Sequence, residues 1–258
     1  MHSTQREQLI LKLLGERGFI GFQELDQILE ASPATIRRDL ERLASTGRLE
    51  RIRGGARLAA AAQVETPQLA GAPFQENIGL HSNEKARIGR AAAAICAPGG
   101  AIIIDGGSTT LQMCSHLDGK GLQVLTNSLH IVSALLPQST TRVSVPAGTL
   151  FREQNIILSP FDDDGMKRFH ASKLFMGAAS IGHRGLMQAD TLLVQAERRL
   201  FALADEIIVL VDSSKFAAMA GHVVMPLEDI DQIITDERIT DADRSMVEQA
   251  GVKLVIAS

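Results

Sequence analysis

From residue 74 onward the chain alternates short apolar runs with helix-length amphipathic stretches. Two of the runs, Ala101 to Ile104 and Ile207 to Val211, hold no polar residue before the aspartates that close them, Asp105 and Asp212. A strand with one wet face alternates apolar and polar residues. A strand apolar on both faces needs helices above and below, which is the environment of a parallel sheet. Strands are read at 101–105, 123–125, 142–145, 174–176, 207–211, 232–234 and 252–256. Helices are read at 83–95, 109–117, 128–136, 191–204 and 241–250 between them. Residues 74–258 are therefore expected to form a Rossmann-like, mostly parallel α/β domain, with ligands outside the carboxyl ends of its strands.

Three strand ends carry polar loops. The first, Asp105-Gly106-Gly107-Ser108-Thr109-Thr110, offers free amides and hydroxyls to an anion, or is a plain glycine turn. The second, Thr126-Asn127-Ser128, offers hydrogen-bonding groups, or only a helix cap. The third is Asp212-Ser213-Ser214-Lys215. Lys215 can pair with a phosphate and Asp212 can accept from a sugar hydroxyl, or the two form a surface ion pair. In the segment Gln188 to Leu200, Asp190 and Glu197 are within reach of ligand hydroxyls, with Glu197 read instead as a helix-surface charge.

The first 57 residues differ in kind. The chain carries a net charge of -4, yet residues 1–57 hold +2, which leaves -6 for the rest. The positive charge is concentrated in the arginines of residues 33–57, so a polyanion is implied for one end only. Helices are read at 4–16 and 22–29, bridged by Phe19-Ile20-Gly21. Ser32 before Pro33 is an N-cap followed by a proline that has no amide hydrogen to leave unpaired, so a third helix runs from Pro33 to about Thr46. Ile36, Leu40 and Leu43 form its buried stripe. Ala34, Thr35, Arg37, Arg38 and Arg42 face outward in this reading. A capped helix with arginines on its free face suits the major groove, where arginine pairs bidentately with guanine. Arg48 to Arg53 then alternates as a strand ending at Gly54-Gly55, a β-wing that sets Arg51 and Arg53 against backbone phosphate.

The string SPATIRRDLERLASTGRLERIRGGA, Ser32 to Ala56, resembles the recognition helix and wing of DeoR-family bacterial regulators. The order GGSTT, TNS, DSSK resembles that family's effector domain, which is similar to the sugar-phosphate isomerase fold. The resemblance implies a winged helix-turn-helix that reads operator DNA through Ser32, Ala34, Thr35, Arg37, Arg38, Arg42, Arg51 and Arg53. It also implies a phosphorylated sugar effector. Ser108, Thr109 and Thr110 would hold the phosphate, and Lys85, Asp105, Gly107, Thr126, Asn127, Ser128, Gly177, Asp190, Asp212 and Lys215 would complete the pocket. Gly148 joins them where Pro146-Ala147-Gly148 departs from the family's Gly-Gly pair, which marks the sugar end as unusual.

Residues 1–57 are thus read as the DNA-binding domain, 58–73 (LAAAAQVETPQLAGAP) as a linker, and 74–258 as the effector and oligomerisation domain. The linker's alternative is a packed helix of the second domain. Without an apolar run long enough for a bilayer or a signal peptide, the chain is expected to be cytoplasmic. Cys96 and Cys114 are expected as buried free thiols. No cofactor is expected, and the histidines lack the short spacing of metal ligands.

The leading expectation is a repressor of a sugar operon, released by a phosphorylated sugar and acting as a dimer or tetramer. Its alternatives are an effector-activated regulator, a sugar-phosphate isomerase-like enzyme and a structural DNA-bending protein. Proton transfer between carbons needs a carboxylate base. Residues 176–181, where similar isomerases carry acids, contain none, so the chain is not expected to be an enzyme.

Overall fold

The computed structural model describes residues 3–17, 19–29, 31–46, 48–52, 55–58, 74–159 and 165–258. It divides into two compact units, Met1–Pro67 and Gln68–Ser258.

The first unit runs α1 (Ser3–Arg17), β1 (Phe19–Gly21), α2 (Phe22–Ile28), α3 (Pro33–Ser45), β2 (Leu49–Ile52) and β3 (Gly55–Leu58). Ile10, Leu14, Leu25, Ile36, Leu40 and Leu43 meet in one core with Ile20, Leu49 and Ala56 from the strands. Each such large side chain contributes about 1.5–3 kcal/mol on burial. Phe19–Gly21, read from sequence as a bridge, is instead a strand paired antiparallel with β3, giving the sheet order β1-β3-β2. Its ladder partners arrive only with the wing, so no local pattern announces it. β3 also carries the chain one residue into the segment read as linker, whose residues 59–73 lie outside the described residues.

The expected cap is present: the Ser32 hydroxyl accepts from the Thr35 amide at 3.3 Å, with Pro33 opening the helix. Replacing Ser32 with alanine should cost about 1 kcal/mol. In hydrogen exchange on the full chain, α3 amides should lose about fivefold protection, and Ser32→Asp should keep it. Unchanged protection in Ser32→Ala would remove the cap from the design.

The second unit begins with α4 (Phe74–Gly79), absent from the sequence reading, and α5 (Ser82–Ala94). Then come β4 (Ala101–Ile104), a 3-10 helix Thr110–His116, β5 (Gln123–Leu125), α6 (Leu129–Leu135) and β6 (Arg142–Ser144). A hairpin follows, β7 (Thr149–Phe151) and β8 (Ile156–Leu158), and then β9 (Ala171–Met176). The rest is β10 (Ser180–Gly182), β11 (Gly185–Gln188), α7 (Thr191–Phe201), β12 (Ala204–Leu210), α8 (Ser214–Ala217), β13 (His222–Met225), β14 (Gln232–Asp236), α9 (Asp241–Gln249) and β15 (Lys253–Ala257).

Seven strands form one parallel sheet in the order β15-β14-β12-β9-β4-β5-β6. Successive residues of β4 serve opposite faces. Ile102 and Ile104 pack with Ile88 of α5 and Ile131 of α6, while Ile103 packs with Leu200 of α7 and Met246 of α9. This is the two-sided burial that the unbroken apolar runs require. The chain leaves β4 toward β5 on one side and continues from β9 toward β12 on the other. The β4/β9 junction is thus a topological switch point, where loops from the two strands diverge and leave a crevice. Cys96 and Cys114 are buried free thiols. Among the described residues no helix is long and apolar enough to cross a membrane.

Candidate DNA-reading face and effector cavity

On α3, Ala34, Arg37 and Arg38 are exposed and Thr35 is half-buried. The Arg37 guanidinium lies 5.3 Å from the centroid of the Phe22 ring, which orients it across α2. Arg42 departs from the outward role. It is half-exposed, but its guanidinium turns back to Glu7 of α1 and to Asp39, 3.3 Å away. Asp39 is itself buried and paired with Arg6 at 2.8 Å. Arg42 thus ties α3 to α1 through a partly buried charge network. In the wing, Arg51 pairs with Glu41 at 2.8 Å, while Arg53 lies outside the described residues.

In the second unit a cavity of about 290 Å³ opens at the carboxyl ends of β4, β9 and β12. Of the residues read as effector contacts, Asp105, Gly107, Ser108, Thr109, Asn127, Gly177 and Lys215 line it. Gly106 and Gly107 are not there for a left-handed turn, since neither has positive φ. They are there for close approach. A Cβ on Gly106 would sit 2.6 Å from Ile156 Cγ2, and one on Gly107 3.1 Å from Thr110 Oγ1. The Gly106 amide donates to Asn127 Oδ1 at 2.9 Å, and Asn127 Nδ2 donates to Asp105 at 2.8 Å. The amides of Gly107, Ser108 and Thr109 donate to no protein acceptor among the described residues.

A second group of the expected contacts lies behind the wall. Thr110 donates its hydroxyl to the carbonyls of Asp105 and Gly107 at 2.8 and 3.0 Å and so braces the loop. Thr126 accepts from the Ser128 amide, and Ser128 caps α6. Lys85 is buried with its ammonium on the Asn77 carbonyl at 2.6 Å. Burial pulls its pKa below the usual value, Asp212 opposes that shift, and Lys215 adds to it. Asp212, also buried, takes the Ser214 amide and hydroxyl and makes no ion pair with Lys215. The loop's other anchor is Asp236, which accepts from the Ser213 amide at 2.7 Å. Lys215 is left half-buried, facing the cavity, with no ion-pair partner among the described residues.

Three expectations need correction. Gly148 is not on the cavity; it packs against the hairpin, where a Cβ would stand 2.4 Å from the Leu158 carbonyl. Asp190 does not line the cavity either: it caps α7 by accepting from the Leu192 amide at 2.7 Å. Glu197 is no surface charge. It is only 3% exposed, lines the cavity and accepts from Gln188 Nε2 at 2.6 Å.

Sequence reasoning also missed Phe74, Asn77, Gln154, Gln188 and Met219 in the wall. A phase count on α7 would have caught Glu197, which shares a face with buried Leu200 three residues on. Burial pushes the Asp105 carboxyl up to about 6, against the Asn127 and Gly106 hydrogen bonds. Burial and then the charge of Asp105 hold Glu197 well above the usual carboxylate range.

A three-helix unit with a three-stranded wing, joined to an α/β unit with a cavity at its switch point, defines a class: a DNA-binding transcriptional regulator with a sensor domain. Residues 6–61 match the DeoR-like helix-turn-helix domain and residues 80–237 the DeoR C terminal sensor domain. The chain belongs to the DeoR family. It is 29% identical over 255 residues to the HTH-type transcriptional regulator UlaR of Shigella dysenteriae, covering 99% of each chain. The same name and identity recur in Escherichia coli K12. These relatives are named as transcriptional regulators.

Among solved structures, ribose 5-phosphate isomerase A from Methanocaldococcus jannaschii aligns with a TM-score of 0.38 and 16% identity, over 52% of this chain and 54% of that one. The probable sor operon regulator of Shigella flexneri aligns at 0.38 and 11%, over 69% and 91%. Both likenesses are too distant to assign anything further.

Proposed function

We propose that the protein is a cytoplasmic repressor of a sugar-catabolic operon, acting as a dimer or tetramer and released by a phosphorylated sugar. The observation that carries the effector reading is the loop at Gly107 to Thr109. Its three amides, which have no acceptor among the described residues, stand with the Ser108 and Thr109 side chains in a cavity that also holds the ammonium of Lys215, unpaired among those same residues. Unpaired donors and a cation on one wall of a crevice are what a phosphate monoester requires. The test is a thermal-shift screen of the full chain with a panel of sugar phosphates. A ligand that binds only the folded state stabilises it by mass action. No stabilisation by any phosphorylated sugar would overturn the reading.

On DNA, Arg38 is proposed as the base reader, being exposed and without an ion pair among the described residues. Arg38→Ala should lose about 1–3 kcal/mol on the operator recovered by selection from a random library, and should relax preference at one base pair. Arg51→Ala should weaken all sequences and lower the salt slope by about one, less whatever its pairing with Glu41 already screens. Anisotropy titrations at several salt concentrations separate the two effects. Operator affinity unchanged in Arg38→Ala would take the reading role from this helix face.

A further inference from the structure

The effector cavity contains two carboxyl groups, one from each side of the switch point. Asp105 follows β4, and Glu197 lines the same cavity from the middle of α7, near enough for the charge of Asp105 to act on it. Both are buried, at 5% and 3% exposure. Of the Glu197 oxygens, Oε1 accepts from Gln188 and Oε2 has no hydrogen-bond partner among the described residues. Of the basic side chains nearby, Arg198 donates to the carbonyls of Val223 and Val224 and Arg199 to that of Ser159, while Lys215 enters the same cavity from α8 without an ion pair to either carboxyl among the described residues. Two like charges close together in a buried site disfavour each other's ionisation, which holds a proton on one of them. Asp105 takes the hydrogen bond from Asn127 Nδ2, which favours its charged form. That leaves the proton on Glu197, where burial and the charge of Asp105 both favour it.

We propose that Glu197 is a specificity-determining residue for the sugar end of the effector, donating its carboxyl proton to a ligand hydroxyl that in turn donates to Asp105. This inference rests on the cavity being the effector site and adds the class of group read there: a free hydroxyl, held between an acid and a carboxylate. A buried carboxyl oxygen without a partner is costly, and the ligand hydroxyl supplies the partner it lacks. A hydroxyl can donate and accept at once, so a single ligand group serves both carboxyls.

Two measurements on the full chain test this. The first needs no ligand. Infrared difference spectra near neutral pH should show a protonated carboxyl band in the wild type that is absent in Glu197→Gln, and its absence from the wild type would overturn the proposal. The second compares binding of inorganic phosphate, ribose 5-phosphate, fructose 6-phosphate and glucose 6-phosphate to wild type, Glu197→Gln and Glu197→Leu.

The wild type should hold at least one sugar phosphate more tightly than inorganic phosphate. Glu197→Leu should lose about tenfold of that preference while binding inorganic phosphate normally. Glu197→Gln, which keeps a neutral donor of the same shape, should retain most of it. A preference unchanged in Glu197→Leu overturns the role of Glu197 and leaves the sugar-phosphate reading standing. A wild type that binds none of these phosphates overturns both.

Discussion

Lys215→Ala is expected to leave operator binding intact and to abolish release by the effector, with effector affinity falling on the order of a hundredfold. A phosphate entering the cavity gives up its hydration, and the loop amides of Gly107 to Thr109 restore only part of it. The rest falls to the one cation on the wall whose charge no protein carboxylate takes up among the described residues. Asp236 and Asp212 anchor the turn that carries Lys215, through Ser213 and Ser214, so alanine at 215 removes the charge without loosening the loop. Lys85 does not substitute, because its ammonium is held by the Asn77 carbonyl.

A ligand shifts operator affinity only if it binds the DNA-competent and released states unequally, so losing its anchor loses the response. The measurement is operator titration of wild type and variant, each with and without the sugar phosphate that gives the largest thermal shift. Release of Lys215→Ala at the wild-type ligand concentration would show that the phosphate sits elsewhere. Operator affinity that changes without ligand would show that the α8 turn supports DNA binding by itself.

The second large effect is structural. Gly185→Ala should destabilise the protein by about 2–4 kcal/mol, a fall of roughly 5–15 °C in unfolding temperature. Gly185 has φ +107, and a Cβ there would stand 2.0 Å from the Met225 carbonyl oxygen and 2.8 Å from the Pro226 carbonyl carbon. Both obstacles are backbone, so no side chain can swing aside. The collision is at the start of β11, between β10 and β13, and β11 ends at Gln188, which holds Glu197. Effector binding should therefore weaken along with stability. Gly182→Ala is the control, since a Cβ there meets only the flexible end of Met187 at 3.7 Å. Equal thermal unfolding of the two variants would mean that the β11 turn relaxes more easily than its geometry indicates.

What the sequence alone determined was whatever is encoded in a single period or a single cap. The unbroken apolar runs of β4 and β12 specified parallel strands covered on both sides, because no half-exposed strand tolerates them. Ser32-Pro33 and the Ile36, Leu40, Leu43 stripe fixed both the start of α3 and its buried face, leaving Arg37 and Arg38 outside. The glycine-rich loop after β4, and Lys215 after β12, were legible because the ends of parallel strands converge on one rim whatever their order.

Tertiary structure alone decided the rest. β1, the β7–β8 hairpin and the β10-β11-β13 sheet are strands of three or four residues, too short to carry a period of their own, and β1 and β13 in addition find their ladder partners more than thirty residues away. Asp190 caps α7 and Glu197 lies two turns along it, and in the sequence both are carboxylates within reach of a ligand, with Glu197 read as the surface charge. One became a cap and the other a buried cavity wall, because the face that α7 turns to β4 depends on how the helix packs on the sheet. A carboxyl's chemistry follows its surroundings. Asp105 is assembled with Asn127 beside it and Glu197 in the same cavity, three residues from three elements, and only their meeting puts a proton in the cavity.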